Sequence, residues 1–555
     1  MKVSTPHTST FFLLFPSALS FTPCPLLGPA FPQFTLDTSD KTITRALKNL
    51  TGQFDALVST DNSSHGEVSP NTTFSIALFS SDSGDAEDEP FFWQYHYTAP
   101  ALNQSSVGSH TADQDSIYRI GGLTEVFTVW SLLLTGDEED PIWDDPVTKH
   151  LHDLVDGIPD QDAIGHVRWD EVTVGQLASH MSGIARDYCS KDVVLQASPA
   201  EAGLPSDQNI DIPCCGEGSE CGSSDLIRAI ANRTRVTSAG QTPSYSNMAF
   251  QLLGSVIERR IGKPWSEILQ HDIFDVLGMT ETSIFAPENP STGIIPVSTE
   301  VSGWSSRDEA DEAKAQTTRW FKPFSHTSNT ANSLGAPWVI YGAGSYPDTS
   351  LIDIYTVLSN EGPHESLYSS YLGLVPDFGV GFAILSADTE IPADLNAHAD
   401  IIGDVVLEAL MKTAVKQAAV KFGGAYKASD TNTNSSITVA YDSLPGLYIE
   451  EFVSNGVDFR ATLAGLMEIA HPKDLSIRLY PTLRDSSSST QEFRAVFQDV
   501  TEPADNGTPT CVSWMDTDKL QYGGRGLDEF IFSLDQSGRA ANVEIPALRV
   551  KLEKK

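Results

Sequence analysis

Apolar and polar positions alternate through 74–79 and again through 91–97, the two-residue period of antiparallel strands. The same alternation at 116–120 runs into Gly121 and predicts a further strand. The pattern then changes. Apolar residues dominate 123–134 until Thr135-Gly136-Asp137, which predicts a turn and a buried helix. Helices are also predicted at 172–180 and 247–262, the second stopped by Gly262-Lys263-Pro264. Strands return at 338–341 and 372–384, the latter divided at Pro376-Asp377. A long helix follows over 397–420, closed by Gly423-Gly424. From 425 onward the runs are short and alternating. Leu444-Pro445-Gly446, Ser454-Asn455-Gly456 and Gln536-Ser537-Gly538 are turn sequences. The expectation is an α+β domain at 21–421 and a small β-rich domain at 422–555, with residues 1–20 set apart.

Residues 1–20 read as a secretory signal. Lys2 gives a positive start, Phe11 opens an apolar stretch to about Leu19, and Ala18-Leu19-Ser20 offers small residues for cleavage. The 126–134 run is far short of the ~20 residues a membrane span needs, and 550–555 has no hydrophobic tail. Export agrees with seven Asn-x-Ser/Thr sites, at Asn49, Asn62, Asn71, Asn103, Asn232, Asn434 and Asn506. It also agrees with an even set of six cysteines: Cys24, Cys189, Cys214, Cys215, Cys221 and Cys511. Disulfides are the expectation. Sequence does not choose among the pairings, Cys24 with Cys511 being one of them. No histidine stands at ligand spacing near Cys214, Cys215 and Cys221, so no metal is expected, and no cofactor is implied. The 555-residue chain carries 74 acidic against 35 basic residues, a formal charge of −39. Nucleic acid and anionic membranes need a basic face and are excluded as partners. The acidity itself fits a soluble extracellular protein.

Four segments carry chemistry. Residues 173–183 read Thr-Val-Gly-Gln-Leu-Ala-Ser-His-Met-Ser-Gly, and 243–247 read Pro-Ser-Tyr-Ser-Asn. Asp275-Val276-Leu277-Gly278-Met279 follows, and 118–128 precedes them all. Together these resemble the serine β-lactamase and penicillin-binding-protein-like family, in its Leu-x-x-His-x-Ser-Gly, Tyr-x-Asn and Pro-Leu-Gly-Met signatures. The resemblance covers about 110–410. It is to the fungal secreted branch of class C β-lactamase-like esterases, which adds a C-terminal β domain. It implies an antiparallel sheet flanked by helices, plus a helical subdomain.

In that family a Ser-x-x-Lys pair opens the buried helix. The serine attacks a carbonyl and forms an acyl-enzyme. The lysine, one turn later on the same face, together with the tyrosine of Tyr-x-Asn, keeps the hydroxyl deprotonatable. A Lys-x-Gly strand holds the substrate and edges the oxyanion hole. Here Tyr245 and Asn247 remain, but Gly122 stands for the serine and Glu125 for the lysine. The third motif falls nearest Asn360-Glu361-Gly362, without lysine, which makes Asn360 and Gly362 substrate-binding candidates. Thr124 lies about 200° round the helix from Gly122, and Ser131 is also on the far side. Ser246 is the variable residue of Tyr-x-Asn, so Ser182 is the best remaining hydroxyl.

Glu125 admits two readings: a general base beside Tyr245, or an acidic residue in a first helical turn, favoured by the dipole. The chain is therefore expected to be a secreted pseudoenzyme, or a binder of a small carbonyl-containing molecule or peptide. The alternative is an enzyme, in one of two forms. One is a hydrolase or transacylase with another nucleophile. The other is a non-hydrolytic tailoring enzyme of secondary metabolism using Glu125 and Tyr245.

Overall fold

The computed structural model describes residues 23–26, 28–32, 34–81, 91–135, 141–155, 166–188, 222–287, 289–304, 320–329, 331–345, 348–360, 366–429, 434–482, 489–501 and 513–555. Two compact units make up the chain. One holds 35–343 and 353–409, the other 1–34, 344–352 and 410–555.

The first unit begins with a helix that the strand pattern of this region concealed, α1 (Lys41–Thr60). Asp40 caps it by accepting the Thr42 N–H, and Ile43, Leu50, Phe54 and Leu57 line its buried face. That spacing is helical, so the signal was in the sequence, masked by the polar residues around it. Strands β1 (Thr73–Ser80) and β2 (Phe91–Tyr97) pair antiparallel, as the alternation predicts. The strand expected at 116–120 does not form. Ile117 makes only an isolated bridge to Gly293, because the segment leaves the sheet to feed the next helix.

That helix is α2 (Thr124–Thr135), entered through a single 3-10 turn at Gly121–Leu123. Helix α3 (Val174–Ala178) is shorter than predicted but carries a full capping box between Thr173 and Gln176. Helix α4 (Ser223–Ala231) precedes α5 (Asn247–Ile261), which Gly262 ends in the left-handed conformation expected of a glycine C-cap. The remaining strands are β3 (Ser325–His326), β4 (Asn332–Leu334), β5 (Val339–Ser345), β6 (Asp348–Asn360), β7 (Tyr368–Val375) and β8 (Val380–Ala387). The sheet order is β2-β1-β8-β7-β6-β5-β4-β3. Strands β7 and β8 form the predicted pair, turning at Pro376–Phe378. Val129 and Leu132 of α2 and Leu252, Leu253 and Val256 of α5 are fully buried in one core with Trp338 and Val357 of the sheet side.

Helix α6 (Asn396–Phe422) runs from the first unit into the second. Its His398 is buried against Phe54 (6.1 Å, stacked) and Phe74 (4.8 Å, edge-on), and among the described residues neither ring nitrogen has a hydrogen-bond partner.

The second unit is a barrel. Its strands are β9 (Gly424–Ala428), β10 (Ser436–Ala440), β11 (Leu447–Ser454), β12 (Val457–Asp458), β13 (Leu475–Pro481), β14 (Thr490–Asp499), β15 (Glu529–Leu534), β16 (Ala540–Ile545) and β17 (Val550–Lys554). The order is β10-β9-β17-β16-β15-β14-β13-β11-β12, and a further β10–β11 pairing closes the ring. Closure leaves the ring strands without a free edge. Asn455-Gly456 makes the two-residue β11–β12 hairpin, both residues at positive φ. Cys24 belongs to this unit and is disulfide-bonded. The other five cysteines, the expected signal segment and Asn506 lie outside the described residues. Asn49, Asn62, Asn103, Asn232 and Asn434 are exposed, and Asn71 is half-buried. No helix among the described residues is long and apolar enough to cross a membrane.

Burial pushes the His398 imidazole down to about 4. The unfolded chain binds that proton near 6.5, so the full stability is present above about pH 6.5 and is lost as pH falls toward 4. The loss from this residue should reach about 3 kcal/mol. Urea unfolding between pH 7 and pH 4 measures it, and His398→Leu should remove this part of the acid sensitivity.

Candidate functional site

Helix α2 is buried over most of its length: Glu125, Val126, Thr128, Val129, Ser131, Leu132 and Leu133 are all buried. A carboxylate placed there needs partners. Glu125 lies in the first turn of α2, where the helix dipole favours a negative charge. It is also hydrogen-bonded: the Tyr245 hydroxyl donates to Glu125 Oε1 at 2.8 Å. The other carboxylate oxygen, Oε2, faces His180 Nε2 at 3.5 Å, an ion-pair distance.

The local sequence holds Tyr245 in place. Ser246 is the N-cap of α5; its Oγ accepts the Ala249 N–H at 3.1 Å and donates to the Ala185 carbonyl at 2.7 Å. The Ser246 N–H donates to His180 Nδ1 at 3.3 Å, and the Ser244 N–H donates to the His180 carbonyl at 2.9 Å. Two segments far apart in sequence are thereby pinned together. The Tyr245 ring packs 4.6 Å from the His180 ring and stays 37% exposed, so the hydroxyl of a fixed side chain remains within reach of solvent.

Asn247 Oδ1 lies 2.9 Å from the same hydroxyl, and its Nδ2 donates to Asp187 Oδ1 at 2.6 Å. The tyrosine has one proton and two acceptors, Glu125 and Asn247, and can satisfy only one at a time. Asp187 Oδ2 accepts Arg186 Nε at 3.0 Å, and the guanidinium lies 4.6 Å from the centre of the Tyr245 ring. Among the described residues no side chain takes the two terminal nitrogens of Arg186, which is more than half exposed.

Gly122 is occupied from the other side. Its N–H donates to Ser359 Oγ at 2.7 Å, and Ser359, on β6, is buried. A Cβ added at 122 would stand 3.3 Å from Ser359 Cβ and 3.4 Å from its Oγ. The Ser359 hydroxyl therefore fills the space beside the position where the resemblance puts a nucleophile. It also consumes the backbone N–H that an oxyanion hole would use.

The structure joins Glu125, Tyr245 and Asn247 in one network and sets Gly122 one helical turn before Glu125. Asn360 ends β6, opposite Ser369 of β7, and Gly362 lies outside the described residues. Ser182 is buried, and its hydroxyl has no partner among the described residues. Ser131 is equally buried, and Ser246 is committed to its cap.

Sequence reasoning missed Ser359, one residue before the assigned motif. It also gave His180 no role, although His180 lies inside a matched signature. Arg186 and Asp187 carry no motif and are recruited only by the fold.

A family model described as "Beta-lactamase" matches residues 97–407, and one described as "Beta-lactamase-like-like, C-terminal domain" matches 414–555. A "Beta-lactamase-like protein" of Arthroderma benhamiae is 26% identical over 95% of this chain and 95% of its own. "Probable hydrolase M10" of a Phoma species is 24% identical over 83% of this chain and 82% of its own, and "Probable hydrolase clz13" of Cochliobolus lunatus is 24% identical over 88% and 90%. Among solved structures, "A class C beta-lactamase" aligns with a TM-score of 0.44 at 10% identity, over 66% of this chain and 98% of that one.

The crowding at Gly122 predicts that Gly122→Ser alone costs about 1–3 kcal/mol. A second change, Ser359→Gly, should return most of it. Thermal unfolding of the single and double variants reads both effects.

Proposed function

Given that the chain belongs to the beta-lactamase family, we propose that it acts on a small carbonyl compound by proton transfer and not through an acyl-serine. The observation that carries this is the Tyr245 hydroxyl, half-exposed and hydrogen-bonded at 2.8 Å to a buried carboxylate. Its family relatives are named probable hydrolases. Hydrolysis through an acyl-enzyme needs a nucleophile, and Gly122 has no side chain to supply one. Losing such a serine costs on the order of 10⁶ in rate.

The remaining groups suit acid–base work. When Tyr245 takes a proton from a bound molecule, its own passes to Glu125; when Tyr245 then hands a proton back to the molecule, Glu125 returns one to the phenol. The reaction class is enolisation, isomerisation, elimination or cyclisation next to a carbonyl. Arg186, held side-on by Asp187, offers its terminal N–H groups to an oxygen of the bound molecule.

One observation favours a second reading, a binding protein without turnover. The Gly122 N–H is already satisfied by Ser359, so it adds no stabilisation to a developing oxyanion. In both readings the protein works outside the cell. The exposed sequons and the disulfide at Cys24 support that reading. Expression in a secreting yeast should then yield a medium protein whose mass drops on endoglycosidase treatment; retention in the cell without glycan speaks against it.

The function is tested by incubating the chain in D₂O with a panel of small ketones and keto acids and following α-proton exchange by NMR. Exchange by the natural chain should fall about 10²–10⁴-fold in Glu125→Gln and Tyr245→Phe. Intact mass after treatment with an activated acyl ester should show no adduct. An acyl adduct on a serine would instead establish a hydrolase with a relocated nucleophile.

A further inference from the structure

The backbone decides which nitrogen of His180 carries its proton, and this bears on residue 125. Because the Ser246 N–H donates to Nδ1, that nitrogen presents its lone pair, and the neutral ring is assigned its proton on Nε2. Nε2 is the atom that faces Glu125 Oε2 at 3.5 Å. The two side chains are 4% and 8% exposed, so solvent screens this contact little. The place therefore asks for an acceptor at position 125. A carboxylate answers it. An ammonium would set cationic N–H donors against another N–H.

His180 is not free to turn. Its backbone takes the left-handed conformation, φ 54°, and its carbonyl accepts the Ser244 N–H. Its ring packs between Tyr245 at 4.6 Å and Phe250 at 5.1 Å. The charged or titratable groups around it are Glu125 and Tyr245, with Arg186 and Asp187 beyond the tyrosine ring.

We infer that Tyr245, Glu125 and His180 form a built triad in which His180 is the positioning residue. It holds Oε2, so that Oε1 stays on the Tyr245 hydroxyl. Glu125 is then an installed partner of the site and not a decayed lysine. The consequence for rate rests on the proton-transfer function proposed above; the arrangement itself does not.

The test uses the full ¹⁵N-labelled chain and long-range ¹H–¹⁵N correlation of the histidine rings. His180→Asn assigns the signal, since asparagine tolerates the left-handed backbone. The expected spectrum has Nε2 protonated and Nδ1 bare. Glu125→Met should move the Nε2–H resonance of His180, because Nε2 is the ring atom that faces the carboxylate. A proton on Nδ1, or an Nε2–H resonance that does not move, would overturn the inference.

If His180→Asn does not fold, thermal unfolding of Glu125→Lys and Glu125→Met carries the test. Lysine should be clearly the less stable of the two; equal stability would count against the triad. Failure to detect α-proton exchange in the natural chain would sink the proposed function, while the tautomer and the Nε2–H resonance still decide the triad.

Discussion

A helix buried over most of its length must have its polar groups satisfied by the protein, and this constraint on α2 organises the first unit. The sheet, α5 and the segment around His180 all exist, in packing terms, to surround it. A single ionisable residue on such a helix has nowhere to find water. Glu125 must be satisfied by the protein, and the elements packed on α2 deliver Tyr245 and His180. The buried carboxylate thus draws its partners from 120 residues away in Tyr245 and from the loop after α3 in His180.

The same interface explains Gly122. In the family pattern a side chain projects from this position, and here the space is taken from the opposite wall by Ser359. The hydroxyl beside Gly122 belongs to the sheet and not to the helix. Its hydrogen bond to the Gly122 N–H ties β6 to the start of α2, alongside the Ser370 hydroxyl on the Ile120 carbonyl at 2.6 Å.

The second unit follows a different logic. Short alternating strands cannot leave edges exposed, and the β10–β11 pairing removes them by closing the ring. Its turns were readable because Asn455-Gly456, Gly446 and Gly538 occupy positive φ, a requirement written into residue type.

Legibility divides along physical lines. Elements set by local periodicity and by stop signals were present in the sequence: α2 from its apolar run, α5 from Ser246 to Gly262, β7 and β8 on either side of Pro376, and the turns of the barrel. Helix α1 was equally encoded, in Asp40 and the spacing of its four buried residues, but polar neighbours hid it. The family motifs also carried Glu125, Tyr245 and Asn247 into one site, because their order along the chain is a proxy for the fold. Only the tertiary structure decided that Ser359 fills the place beside Gly122, that Arg186 lies on the Tyr245 ring, and that His180 turns Nε2 toward Glu125. Those are contacts between side chains of distant segments, and no local pattern records them. A sequence states which groups are available; which proton faces which oxygen is settled only when the segments pack.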